Sequence, residues 1–282
     1  MDNNTPIYRI VADSAADLLT LESVSFGIAP LKIITSEKEY TDTENLDVAD
    51  MVNSLKRYNG RSTSSCPNPE EWLKAFGEAK YIFVVTISGG ISGSCASAQV
   101  AKEIYEAEHP DRHVFLIDSL SAGPEETLLV EKLEELITEE KTYEEICEQI
   151  TAYQKKTGLY FMLESLTNFA NNGRVNPAIA KIAGVLGICI VGRASDKGTL
   201  EPTDKCRGIK KSVDAVIGHL KNHNFTTGKI RIAHCFNEKG AIEFKNKLKE
   251  VFKNADIKIH STRGLCSFYA EKGGILVGYE TV

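Results

Sequence analysis

The residues best suited to chemistry lie in two short segments rich in hydroxyl groups. The first is Ser88-Gly89-Gly90-Ile91-Ser92-Gly93-Ser94, which follows an apolar run and precedes a helical pattern. Glycines let a backbone approach a ligand, and the amides at a helix start carry about half a positive charge. Such a turn can hold a phosphate or a carboxylate. It can equally be a tight strand-to-helix connection with a serine cap. Its spacing fits neither G-x-G-x-x-G nor G-x-x-x-x-G-K-[ST], so dinucleotide and P-loop nucleotide readings fail. Gly90-Ile91-Ser92-Gly93-Ser94 also ends in serine where a nucleophile elbow needs glycine. The second segment is Arg61-Ser62-Thr63-Ser64-Ser65-Cys66-Pro67. It reads as an ordinary polar loop or as a set of neutral donors to the same anion.

Other candidates are sparser. Arg174 after Gly173, and Lys205, Arg207 and Lys210 around Gly208, are basic points on turns, either solvated or used for docking. Asp13, Asp17 and Asp118 fall at or just beyond strand ends, where α/β sheets place ligands. No histidine or second carboxylate stands at a catalytic spacing, so no nucleophile–base–orienter set is visible. The seven cysteines are odd in number and form no CxxC pair. Redox and zinc chemistry therefore have no support, and small core residues are expected. His109/His113 and His219/His223 have a spacing that can share one helix face, but no third ligand follows. No metal and no cofactor is expected.

Composition narrows the class. In 282 residues, 42% are hydrophobic and 26% charged, as in an average globular protein. The 33 basic and 39 acidic residues give a net charge of −6, without the basic stripe of a nucleic-acid binder. The opening MDNNTPIYRIVADS is not a secretory signal, and Tyr81–Ala101 is too rich in glycine and serine to span a membrane. A cytoplasmic protein is expected.

The elements that must position these residues alternate. Tyr8–Asp13, Ile28–Thr35, Glu39–Thr41, Tyr81–Ile87 and Val114–Asp118 read as strands. Asp47–Tyr58, Asn68–Lys80, Ser92–Ala107, Pro124–Glu140 and Tyr143–Thr157 read as helices. That alternation predicts a mostly parallel α/β layer. The second half differs. A strand at Leu159–Leu163 and short helices at Leu166–Asn171 and Pro177–Leu186 precede a hairpin. In it Ile188–Arg193 and Thr199–Thr203 flank Asp196-Lys197-Gly198. Helices at Arg207–Asn222 and Glu238–Lys253 and strands at Lys229–His234, Ile257–His260 and Gly274–Tyr279 follow. The expected fold is α/β, with residues 1–157 forming a mostly parallel N-terminal domain. Residues 158–282 would form a C-terminal α/β domain with a mixed or antiparallel sheet.

Taken together, six segments resemble the DegV family of bacterial fatty-acid-binding proteins, over nearly the whole chain. IVADSAADL is similar to the family's Asp-Ser-Thr-Ala-Asp-Leu start, and STSSCPNPEEW to its Thr-Ser-Gln-Pro-Ser-Pro segment. ISGGISGSCASA resembles its Ser-Ser-Gly-Leu-Ser-Gly-Thr turn, and VFLIDSLSAG its Ile-Asp-Ser strand end. ESLTNFANNGRVNPA resembles its Leu-x-x-Leu-x-x-Gly-Gly-Arg-Ile helix, and KGTLEPTDKCRGIKKS its Gly-x-Ile-x-Pro…Arg-Gly-x-Lys-Lys hairpin. The order and distances agree throughout.

The resemblance implies a lipid site between two domains, with the acyl chain in an apolar tunnel and the carboxylate held by hydroxyls. It places the head-group contacts on Ser64, with Thr63 beside it, and on Ser92 and Gly93. It also implies a long-chain fatty acid as ligand and an ATP-dependent fatty acid kinase subunit as partner. That partner would phosphorylate the carboxyl group, leaving this chain a carrier with no catalytic residues. Arg174, Arg207 and Lys210 would serve its docking. Three departures stand out. Phe268-Tyr269-Ala270 replaces a segment with a histidine, which makes Tyr269 a neutral donor at the mouth of the site. Cys66 replaces a glutamine, and Cys189-Ile190 a Lys-Pro pair. The competing reading is a small-molecule hydrolase or transferase with Ser92 as nucleophile, which needs a base beside that serine.

Overall fold

The computed structural model describes residues 7–183, 185 and 187–281. The first half runs β1 (Tyr8–Asp13), a 3-10 turn (Ser14–Ala16), β2 (Ser25–Ala29), β3 (Lys32–Ile34), β4 (Glu39–Thr41) and α1 (Val48–Arg57). It continues through β5 (Thr63–Ser65), α2 (Pro69–Phe76), β6 (Tyr81–Thr86), α3 (Ser94–Glu108), β7 (His113–Asp118), α4 (Pro124–Thr138) and α5 (Tyr143–Gln154). Strands β2-β1-β6-β7 form a parallel sheet. Val84 and Phe83 of β6 are both fully buried, one in the core on each face, which is why the run lacks polar alternation. Asn68 and Glu71 form a capping box that starts α2, with Pro69 in the first turn.

Three expectations in this half need correction. Ile28–Thr35 is not one strand. It divides at Pro30 between β2 and β3, because proline has no N–H for a ladder and the chain changes sheets there. The hydroxyl run 63–65 is not a loop but β5, antiparallel to β3 in a small sheet of order β4-β3-β5. Helix α3 also starts at Ser94 rather than Ser92.

The second half runs β8 (Thr157–Leu163), α6 (Thr167–Asn171), α7 (Pro177–Ala183), β9 (Ile188–Ala194), β10 (Leu200–Arg207) and α8 (Ile209–Asn222). Then come β11 (Lys229–His234), α9 (Glu238–Val251), β12 (Asp256–Ser261), α10 (Gly264–Ala270) and β13 (Ile275–Glu280). The expected end of the apolar helix at Leu186 lies outside the described residues. The six strands are ordered β10-β9-β8-β13-β11-β12, antiparallel except for β11–β12. The helix expected from Arg207 begins at Ile209. Residues up to Arg207 stay in β10, where Cys206 pairs with Cys189 and Arg207 with Ile188, and Gly208 then turns with φ +79°. The spacing of His109 and His113 does not place them on one helix, since the first caps α3 and the second opens β7.

One face of this sheet is closed by α8 and α9, with Tyr160, Met162, Val191, Val216 and Phe244 in its core. The other carries Leu159, Phe161, Leu163, Ile190 and Leu276. It meets Ala15, Leu31 and Ile87, which come from strand ends and loops of the first half.

Candidate functional site

An apolar cavity lies where that second sheet face meets the first half. Its walls include Leu31 and Ile87 on one side and Leu159, Phe161, Leu163 and Leu276 on the other. Ser64, Ser92, Gly93 and Tyr269 all border it, from three different parts of the chain. The Ser64 Oγ and Tyr269 hydroxyl are 2.7 Å apart and hydrogen-bonded. The Tyr269 ring stacks on Phe169 of α6, centroids 4.6 Å apart. Thr63 does not border the cavity. It sits at the start of β5, paired with Ile34, one residue short of the mouth.

Local bonds explain why the Ser88–Gly93 turn holds its shape. The Ser88 Oγ donates to the Gly198 carbonyl at 2.7 Å and accepts from Gly90 N, which fastens the turn to the β9–β10 hairpin. A side chain at Gly90 would meet the Lys197 carbonyl at 2.6 Å, so only glycine allows this approach. The amides of Ile91 and Ser92 donate back to the Ser88 carbonyl. The Ser92 Oγ accepts from Ser94 N at 3.2 Å and keeps its own proton to donate. Gly93, the N-cap of α3, makes no side-chain cap, so beyond the Ser94 amide held by Ser92 the amides of the first turn have no side-chain acceptor.

The three aspartates at strand ends hold loops rather than facing the cavity. Asp13 accepts from Ile87 N at 2.9 Å and from Ser94 Oγ at 2.6 Å, which joins β1 to the turn and to α3. Burial pushes its carboxyl up to about 6. Asp118 accepts from Gly89 N and Leu120 N. Asp17 accepts from Arg263 N at 2.7 Å, and burial pushes its carboxyl up to about 8.

The basic candidates separate. Arg174 borders the cavity, its Nε donating to the Ile91 carbonyl at 3.1 Å and its guanidinium also bonded to the Asn172 carbonyl. Arg207 and Lys210 are exposed and away from the cavity. Residues that the sequence did not single out for the site include Phe169, Arg193, Leu265 and Cys266. Nothing local marks them, because they meet only when α6, β9 and α10 converge. Cys66, noted only as a departure, lies in the wall, and a side chain at Gly93 would come within 3.2 Å of its sulfur.

The cavity is lined by no histidine, aspartate or glutamate among the described residues, so Ser92 has no base beside it. Among the described residues no group of histidines, cysteines and carboxylates could hold a metal, and no helix is long and apolar enough to cross a membrane. The arrangement suits a ligand with a long apolar body and one polar, hydrogen-bond-accepting end.

An α/β protein with such a cavity between the six-stranded sheet and the first half has close relatives. The family profile described as "Uncharacterised protein, DegV family" matches residues 8–281. A DegV domain-containing protein of Streptococcus pneumoniae is 45% identical over 277 residues, 97% of this chain and 99% of that one. The chain belongs to the DegV family. Among solved structures, a DegV family protein of Eubacterium eligens loaded with heptadecanoic acid is 42% identical. It superposes with a TM-score of 0.96 over 98% of this chain and 100% of that one. The fatty acid kinase B3 protein of Streptococcus pneumoniae, loaded with linoleic acid, is 45% identical. Its TM-score is 0.95 over 98% of this chain and 99% of that one.

Proposed function

We propose that this chain binds a long-chain fatty acid and presents it to a separate ATP-dependent kinase subunit, which phosphorylates the carboxyl group. The observation that carries this reading is the cavity's polarity. Its walls are largely aliphatic and aromatic, with the hydrogen-bonded hydroxyls of Ser64 and Tyr269, and Ser92, on its border. The carboxylate accepts from these hydroxyls and from the open amides at Gly93 and the first turn of α3. A sixteen-carbon acid has about fourteen methylenes, each worth roughly 0.8 kcal/mol on burial, or on the order of 11 kcal/mol before binding entropy is subtracted. Neutral donors then suffice to orient the head group. The loaded relatives from Eubacterium eligens and Streptococcus pneumoniae support the same ligand class.

The chain acts as a carrier of residues 1–157 and 158–282 around one ligand, with no catalytic residue of its own. The hydrolase reading loses support because Ser92 lacks a base. Arg207 and Lys210, exposed on one edge, serve partner docking, and Arg174 stands between docking and the site. Native mass spectrometry of gently purified protein tests the ligand: a bound fatty acid is expected, and clean apoprotein with esterase turnover would reverse the reading. Arg207→Glu tests docking. It is expected to slow association with a fatty acid kinase subunit while bound lipid stays constant, and loss of lipid first would remove Arg207 from that role.

A further inference from the structure

Helix α10 supplies Leu265, Cys266, Tyr269 and Ala270 to the cavity wall, yet its start is held by the other half of the chain. Two buried carboxylates do this. Asp17 Oδ1 accepts from Arg263 N at 2.7 Å. Asp42 accepts from Gly264 N at 3.0 Å through Oδ1 and from Leu265 N at 2.8 Å through Oδ2. The Arg263 guanidinium adds a bond to the Thr43 carbonyl, beside Asp42. The other end of α10 is tied to α6, where Asn168 Nδ2 donates to the Phe268 carbonyl at 2.7 Å. Both clamping acids are at least nine-tenths buried. Asp17 Oδ2 has no partner, although Cys266 lies close to it. Ordinary helix capping is done by a serine, threonine, aspartate or asparagine at the N-cap position itself. Two buried acids from distant sequence positions are costly groups to use for that purpose alone.

The helix phase explains the use. Tyr269 stands four residues after Leu265, one turn on and on the same face. A helix turns about 100° per residue, so a small change in how the first turn is held swings Tyr269 away from Ser64. We propose that Asp42 and Asp17 are positioning residues: by gripping the first amides of α10 they set the Tyr269 hydroxyl against Ser64 at the head-group end of the cavity. This rests on the fatty-acid reading, and its test separates the two.

The test combines a ligand-free and a ligand-bound readout. In the free protein, the stacked Phe169 and Tyr269 rings shift each other's proton resonances. Asp42→Ala is expected to abolish that shift and Asp42→Asn, which keeps one acceptor oxygen, to retain part of it. In calorimetric titration with octadecanoate, Asp42→Ala is expected to weaken binding about tenfold, with Asp42→Asn recovering most of the loss. Tyr269→Phe should then cause no further loss in the Asp42→Ala background, although it does so in the parent. Thr142→Ala, which removes the cap of α5 away from the cavity and from α10, serves as a destabilised control and should leave octadecanoate binding and the ring shift intact. An unchanged ring shift in Asp42→Ala, or losses from Asp42→Ala and Tyr269→Phe that add independently, overturns the positioning role. A parent protein that shows the ring shift and its loss in Asp42→Ala, but does not bind octadecanoate, keeps the clamp and overturns the fatty-acid reading.

Discussion

The two faces of the six-stranded sheet have similar residues and opposite fates. Along β8, Tyr160 and Met162 point to the face covered by α8 and α9, while Leu159, Phe161 and Leu163 point to the cavity. Both sets are apolar and both are nearly inaccessible to solvent. On the covered face two amphipathic helices press side chains into every gap. On the other the opposing surface is mixed, short helices α6 and α10 together with loops and strand ends of the first half, and these do not fill the face as two long helices do. Space is left between them, and hydroxyls collect on its border. An empty space in a protein is therefore a matter of what is set against a face, not of which residues make the face.

This comparison can be broken with adjacent residues. Met162→Ala, on the sealed face, is expected to lower the unfolding free energy by about 2–5 kcal/mol, as measured in urea. Leu163→Ala, one residue on, should fall at or below the bottom of that range, because its neighbours already border open space. Equal losses would mean the cavity face is packed as tightly as the core. A second test removes a polar group from the cavity border. Ser92→Ala is expected to weaken fatty acid binding by roughly 1.5–3 kcal/mol with the fold retained, and unchanged affinity in calorimetry would remove Ser92 from the head-group site.

The first half also carries buried acids near the second sheet, Asp17 after the 3-10 turn and Glu125 and Glu126 in α4. Asp17 is pushed up to about 8 and Glu125 to about 7, with desolvation the main cause in both, and Glu126 is also held up by its burial. An acid with a raised folded pKa binds its proton better folded than unfolded. Its contribution is full below the unfolded value and is lost as pH rises through the folded one. His260, pushed down to about 4 by burial, acts in the opposite sense only below about pH 6.5, where unfolded imidazole charges. Between pH 6.5 and 8.5 the melting temperature should therefore fall, and Asp17→Asn should flatten that fall. A rising melting temperature over this range would contradict the assignment. The smallest effect is expected from Tyr269→Phe, about 1 kcal/mol of fatty acid affinity for one neutral hydrogen bond. Undiminished binding would leave Tyr269 as a packing residue only.

Much of the fold was legible before the structure. The strand–helix alternation of the first half and the Asp196-Lys197-Gly198 hairpin of the second follow from local periodicity and turn chemistry, which act over a few residues. The family-like segments also pointed to Ser64, Ser92, Gly93 and Tyr269, all of which border the cavity. What escaped was β5, whose three hydroxyl residues carry no strand pattern and are extended only because β3 offers them a partner. The break at Pro30 was visible as a residue but not as a change of sheet.

The chain by itself determined most of its helices and longer strands and the apolar side of helices such as α8, because those are set by neighbours three or four residues away. It did not determine that Ser64 and Tyr269, 205 positions apart, would lie 2.7 Å from each other. Nor could it show that Asp17 and Asp42 would grip a helix more than 220 residues later in the chain. Contacts at that separation arise only when two sheets and the loops between them settle together, since the distance along the chain places no constraint on which distant groups will meet.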